Sequence, residues 1–257
     1  MDITNLSKFT EQALTRNIFS LFSEAQRSEN YSVSAAGLFL DYAKQNIVDS
    51  EFTPLFALAE QVGLADKISA QFAGDELNST EQRAVLHTVL RAPDAMKVDV
   101  LGAEAQAVID TEAKMAAIVD DVQSGRVSSV TGEKFTDILA IGIGGSYYGV
   151  KVALSALVPY HQKGLKAHVL ANVDGDAAQE KFAKLNASTT LVVVISKTFS
   201  TQETLLNATI VKAWMLNALA EADHSPADII AQHWYAVSTN IAAATAFGID
   251  AENILPM

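Results

Sequence analysis

The sequence predicts an α/β fold: a doubly wound parallel sheet flanked by helices, preceded by an N-terminal helical region. Three observations carry this. Short apolar runs recur from Asp137 onward, helical stretches separate them, and the runs end near turn residues such as Gly144, Asp174, Ser196 and Ser238. Alternation at this spacing means crossover connections and a sheet covered on both faces. In open sheets of this kind, ligands bind outside the carboxyl ends of the strands.

Residues 1–100 read as the helical region and 101–257 as the sheet domain. Leu38, Phe39, Tyr42 and Ile47 recur near helical spacing, as do Phe56, Leu58, Val62 and Leu64 with a break at Gly63. A helix is also predicted over Arg83–Arg91, behind the capping types Asn78, Ser79 and Thr80 and ahead of Pro93. A long helix follows from Glu104 to Val122, ending at Gly125. No strand signal stands before Thr136. Strands are then predicted over Asp137–Ile143, Ala167–Val173, Leu191–Ile195 and Trp234–Val237, with a short one near Ile254. Helices fill 146–160, 176–186, 201–221 and 239–246.

Composition narrows the function. A formal net charge of −12 argues against a nucleic-acid binder, which needs surplus Lys and Arg. An anionic ligand must therefore be held by local N–H groups and hydroxyls. With no cysteine, disulfides and thiolate chemistry are excluded. No apolar run is long enough to suggest a membrane span. The first residues lack a basic stretch followed by an apolar core, which predicts a cytoplasmic protein without a secretory signal.

Two segments carry candidate chemistry. Ile141-Gly142-Ile143-Gly144-Gly145-Ser146 follows an apolar run and opens a helix. Glycines permit a tight turn and close backbone approach, and a helix N-terminus offers unpaired N–H groups to an anion. The plain alternative is a strand–helix turn and nothing more. A dinucleotide fingerprint fits poorly, because its third glycine falls on Tyr147, although Asp174 stands where a ribose-binding acid could sit. No Gly-Lys-Ser/Thr follows, so there is no Walker A loop.

The second segment, Ser196-Lys197-Thr198-Phe199-Ser200-Thr201-Gln202-Glu203-Thr204, supplies five hydroxyls in nine residues. Ser200 with Glu203 fits a capping box, which would use only one or two of them. The surplus favours a polyanion site, with Lys197 adding either its charge or its backbone N–H. His87, His161, His168, His224 and His233 show no metal-ligand spacing, and His87 reads as structural. Asp120-Asp121 reads as a solvated helix face.

These segments resemble signatures of the phosphoglucose isomerase (glucose-6-phosphate isomerase) family. So do Thr80–His87, Asn172-Val173-Asp174-Gly175, Ser238-Thr239-Asn240 and Phe247-Gly248-Ile249, all in the right order. The resemblance runs from about Asp41 to the last residue and covers that family's amino-terminal portion. It implies a SIS-type sugar-phosphate domain. It implies that Ser146, Ser196, Thr198 and Thr201, with the N–H groups of Gly145 and Lys197, hold the substrate phosphate.

The implied activity interconverts glucose 6-phosphate and fructose 6-phosphate through a cis-enediol, with no metal or organic cofactor. The implied partners are these phosphosugars, with no nucleic acid and no membrane; the full-length enzyme would be a homodimer. Two departures stand out: Tyr147-Tyr148-Gly149-Val150 replaces the family's common Asp-Leu-Gly-Pro, and Ser200 replaces a common threonine. The family's glutamate base, ring-opening histidine, and site lysine and arginine lie in segments beyond Met257. No catalytic residue is therefore assigned, and the 257 residues alone are expected to be inactive. The alternatives are a non-catalytic SIS-domain sugar-phosphate-binding module and a nucleotide-dependent oxidoreductase.

Overall fold

The structure, a computed structural model, describes residues 4–220 and 224–257. It divides into two compact units, Met1–Ala103 and Glu104–Met257.

The first unit contains α1 (Thr4–Thr15), α2 (Ile18–Leu21), α3 (Arg27–Asn30), β1 (Ser32–Ala35), β2 (Leu38–Asp41), α4 (Asp49–Gln61), α5 (Leu64–Ala73) and α6 (Asp94–Leu101). Gly63, at φ 65°, separates α4 from α5 where the sequence placed the break. Two expectations are corrected. The segment read as a helix around Leu38–Tyr42 is instead an antiparallel hairpin, with Ala35 opposite Leu38. Ala36 and Gly37 both take positive φ (50° and 76°), the geometry that matches the twist of paired strands. The second correction concerns Arg83–Arg91, where only a 3-10 turn forms over Val89–Arg91. Asn78 Oδ1 instead accepts from Thr80 Oγ1 (2.8 Å) and the Glu81 N–H (3.2 Å). The capping side chains thus build a local turn that competes with the helix.

Buried charge in this unit is paired. Arg27 donates from Nε to the Ala43 carbonyl at 2.8 Å and lies 4.0 Å over the Tyr31 ring. Glu51 accepts from Arg16 at 2.5 Å and from the Val48 N–H at 3.0 Å. The Arg16 hydrogen bond, joined by the Val48 bond, holds the Glu51 carboxyl below the usual carboxylate range against the opposing effect of burial.

The second unit opens with α7 (Ala105–Ser124), closed by Gly125 at φ 76°. Strands β3 (Asp137–Ile141), β4 (Lys166–Leu170), β5 (Thr190–Ile195), β6 (Trp234–Val237) and β7 (Ile254–Leu255) form one sheet in the order β4-β3-β5-β6-β7. All of its pairings are parallel. The crossovers carry α8 (Gly145–Ala156), α9 (Gly175–Phe182), α10 (Gln202–Leu219), α11 (Pro226–His233) and α12 (Ile241–Phe247). The expected helix end at 221 lies outside the described residues. Helix α11 is missing from the sequence expectation, although Ser225 and Asp228 cap it reciprocally, with Pro226 at its first position.

Strand residues alternate between two cores. Leu139, Ile141, Val192, Val194 and Ala236 pack with Val211 and Met215 of α10 and with Ile229 and Ile230 of α11. Leu191 and Tyr235 pack with Val122 of α7 and Phe135, against which Ile138 and Val193 also lie. Helices thus cover both faces, which is why these strands read as continuous apolar runs. Among the described residues, no helix is long and apolar enough to cross a membrane.

Candidate functional site

The strand order places a topological switch between β3 and β5. From β3 the chain turns to β4 on one side, and from β5 it turns to β6 on the other. The crevice outside the carboxyl ends of two such strands is where open α/β sheets bind ligands. Ile141 pairs in register with Val194, so the glycine turn and the hydroxyl turn leave the sheet side by side. Neighbouring strands lie about 4.8 Å apart.

On the β3 side, a Cβ on Gly142 would lie 2.7 Å from the Ser146 carbonyl oxygen, so only glycine lets the helix start approach the strand. Gly144 takes φ 58° and ψ −122°, a conformation that L side chains rarely adopt, and α8 begins at Gly145. Ser146 N–H donates to the Ile143 carbonyl at 3.1 Å, while Tyr147 and Tyr148 donate to Gly144 at 3.0 and 2.9 Å. Among the described residues, the Gly145 N–H makes no hydrogen bond. Gly144 and Gly145 are exposed and Ser146 is half-buried. Gly142→Ala is expected to destabilise the domain by about 1–3 kcal/mol, because the obstructing atom is backbone and cannot rotate away. Chemical denaturation measures this, and an unchanged midpoint would contradict it.

On the β5 side, Ser196 N–H continues the ladder to Val237 at 3.0 Å. The Ser196 side chain is buried, and its Oγ has no hydrogen-bond partner among the described residues. Phe199 N–H closes a turn onto the Ser196 carbonyl at 3.2 Å. Lys197 and Thr198 are exposed, and among the described residues neither backbone N–H is bonded. Thr198 Oγ1 and Ser200 Oγ pair at 2.7 Å.

The capping box expected from Ser200 and Glu203 does not form. Thr201 occupies the N-cap of α10, and its side chain makes no bond to the helix. Thr204, counted among the five hydroxyls, is instead buried on the face of α10 that carries Ala208, Val211 and Met215. Among the described residues, the two turns therefore offer a buried hydroxyl (Ser196), exposed hydroxyls (Thr198, Thr201), the half-buried Ser146 and unbonded N–H groups at Gly145, Lys197 and Thr198. Every one of these groups can donate to an anion, and the start of α10 adds its dipole. The Thr198 N–H was not singled out by the sequence. Its signal is the turn geometry, which no residue type reveals.

The remaining candidates take structural roles. Asp174 caps α9, accepting from the Asp176 N–H at 2.9 Å. Asp120 and Asp121 hold Arg126. His87 lies in the turn region, with Nε2 3.3 Å from Gln71 Nε2. His233 is fully buried, with Nε2 accepting from the Val130 N–H at 3.1 Å and Nδ1 donating to the Thr190 carbonyl at 2.8 Å. That pattern fixes the neutral tautomer, and burial lowers the pKa below the ordinary histidine value, against the opposing Thr190 bond. Among the described residues, no three His, Cys, Asp or Glu side chains gather as a metal site. Tyr147 helps wall a groove of about 320 Å³ with Leu170, Asn172 and Lys181, beside the glycine turn.

Known proteins resemble this chain in sequence and in fold. The family model for phosphoglucose isomerase matches residues 41–257. Glucose-6-phosphate isomerase 2 of Colwellia psychrerythraea is 54% identical over 261 residues, covering 100% of this chain and 47% of the relative. Glucose-6-phosphate isomerase of Shewanella frigidimarina is 48% identical over 233 residues, covering 90% of this chain and 42% of the relative. The chain thus spans about half the length of the curated relatives it matches. A crystal structure of a glucose-6-phosphate isomerase from Chlamydia trachomatis superimposes with a TM-score of 0.70, covering 99% of this chain and 47% of the other, at 24% identity; it supports the fold alone. With the family model matching most of its length, this chain belongs to the phosphoglucose isomerase family.

Proposed function

We propose that this chain holds the phosphate of glucose 6-phosphate and fructose 6-phosphate, as the phosphate-binding half of a cytoplasmic glucose-6-phosphate isomerase site. The observation that carries the reading is the Ser196 hydroxyl, buried and without an internal partner at the switch point of the sheet. A phosphate oxygen would accept from it. Ser146, Thr198 and Thr201 would donate their hydroxyls, and Gly145 and Lys197 their N–H groups. The protein's net charge of −12 repels the ligand at long range, so affinity rests on these short, charge-assisted bonds.

Aldose–ketose isomerisation moves a proton between C2 and C1 and needs no external oxidant. Fixing the phosphate positions the sugar carbons for a base and removes much of the entropic cost of that encounter. That base, in this reading, lies in the segments of the relatives that these residues do not cover. The 257 residues alone are expected to bind fructose 6-phosphate and not turn it over. Calorimetry with fructose 6-phosphate, fructose and a nicotinamide dinucleotide, beside a coupled isomerase assay, tests this. Binding of the phosphosugar only, without turnover, supports the reading. Preference for the dinucleotide, or turnover comparable to a complete isomerase, overturns it.

A further inference from the structure

The loop after β6 reaches across to the hydroxyl turn in a way that phosphate contact alone does not require. Three donors converge on the Lys197 carbonyl: Thr239 Oγ1 at 2.6 Å, the Thr239 N–H at 2.9 Å and Ser238 Oγ at 3.1 Å. A carbonyl oxygen has two lone pairs, so this one is saturated. Asn240 Nδ2 donates to the next carbonyl, Thr198, at 3.1 Å, while its Oδ1 caps α12 through the Ala243 N–H at 3.0 Å. Ser238 Oγ in turn accepts from the Asn240 N–H at 3.0 Å. Packing does not explain this convergence, because Lys197 and Thr198 are both exposed.

The consequence follows from the planar trans peptide, whose C=O and N–H point in opposite directions. β5 lies between β3 and β6. Drawing the Lys197 carbonyl towards the loop after β6 therefore turns the Thr198 N–H towards β3, where the free Gly145 N–H lies. Phe199 completes the lock. It sits at φ 50°, unusual for a residue with a side chain, with its ring buried against Phe247 at 5.9 Å. Such a conformation persists where its surroundings over-determine it.

We propose that Ser238, Thr239 and Asn240 are positioning residues for anion binding, holding the Lys197–Thr198 peptide so that the Thr198 N–H faces the crevice. This inference rests on the phosphate reading of the site. The test is amide NMR of the full chain titrated with inorganic phosphate, for the wild type, Thr239→Val, the double variant Ser238→Ala/Thr239→Val, and Thr239→Ser. In the wild type the Thr198 and Gly145 amides both shift. Thr239→Val weakens affinity a few-fold and the double variant by about tenfold, the scale of a lost charge-assisted bond. In both, the Thr198 response shrinks selectively while Gly145 still responds, and Thr239→Ser keeps the wild-type affinity and Thr198 response. Unchanged affinity and an unchanged Thr198 response in the double variant overturn the positioning role. A uniform loss of both responses also overturns it, because general loosening of the domain gives that result. A wild type that does not respond overturns the phosphate reading itself, and this inference with it.

Discussion

Ser196→Ala is expected to separate binding from stability. Ser196 is 3% exposed and its hydroxyl is unpaired among the described residues, a state that costs about 1–3 kcal/mol for a buried polar group. Alanine removes that cost, so the denaturation midpoint should hold or rise slightly. Fructose 6-phosphate affinity should fall about ten- to a hundredfold, because a hydrogen bond to a charged acceptor contributes about 1.5–3 kcal/mol. Most core substitutions lose stability and leave a distant ligand untouched, so the opposite signs are diagnostic. Calorimetry and urea unfolding on the same two proteins check them. Lost stability with unchanged affinity would make Ser196 a structural hydroxyl only.

His233→Ala is expected to destabilise the sheet domain strongly. It opens a cavity beside Phe135, whose ring meets the imidazole edge-on at 5.3 Å. It also strands the Val130 N–H and the Thr190 carbonyl. Together these effects are worth about 3–5 kcal/mol. The same residue sets a pH dependence. The folded protein keeps His233 neutral below the ordinary pKa of 6.5, whereas the unfolded chain protonates there. Its stabilising contribution is therefore complete above pH 6.5 and is lost as pH falls from there towards the depressed folded value. The slope approaches but does not exceed about 1.4 kcal/mol per pH unit. Urea unfolding between pH 7.5 and 5 should show this decline in the wild type. A variant without the imidazole should lack that component, and identical slopes would contradict the assignment.

The parts of the fold that were legible in the sequence share a physical cause. β3, β5 and β6 are covered on both faces, so they read as unbroken apolar runs ending in glycine or hydroxyl residues. β6 was expected at Trp234–Val237 and is found there. The long helix α7 was expected from Glu104 to Val122 with its end at Gly125, which does close it. Illegible elements depend on competition between local geometries. Asn78–Thr80 are good helix caps, but here they bond to one another in a turn. The β1–β2 hairpin has strands of four residues joined through Ala36-Gly37, too short for periodicity to separate from helix.

At the candidate site, residue type pointed to two segments that leave adjacent strands side by side, but not to each hydroxyl's direction. Thr204 faces the core because it lies on the sheet side of α10. Ser200 turns to Thr198 because Thr201 takes the cap. The grip of Ser238 and Thr239 on the Lys197 carbonyl, and of Asn240 on the Thr198 carbonyl, joins residues some forty positions apart, a pairing visible only once β5 and β6 lie side by side.

The most direct test of the phosphate cradle is a crystal structure of this chain with fructose 6-phosphate. The phosphate is expected in the crevice between β3 and β5, with its oxygens within hydrogen-bonding distance of Ser196 Oγ, Thr201 Oγ1 and the N–H groups of Gly145 and Thr198. A phosphate seated elsewhere, such as in the neighbouring groove walled by Tyr147 and Lys181, with the Ser196 hydroxyl still unpaired, would contradict it.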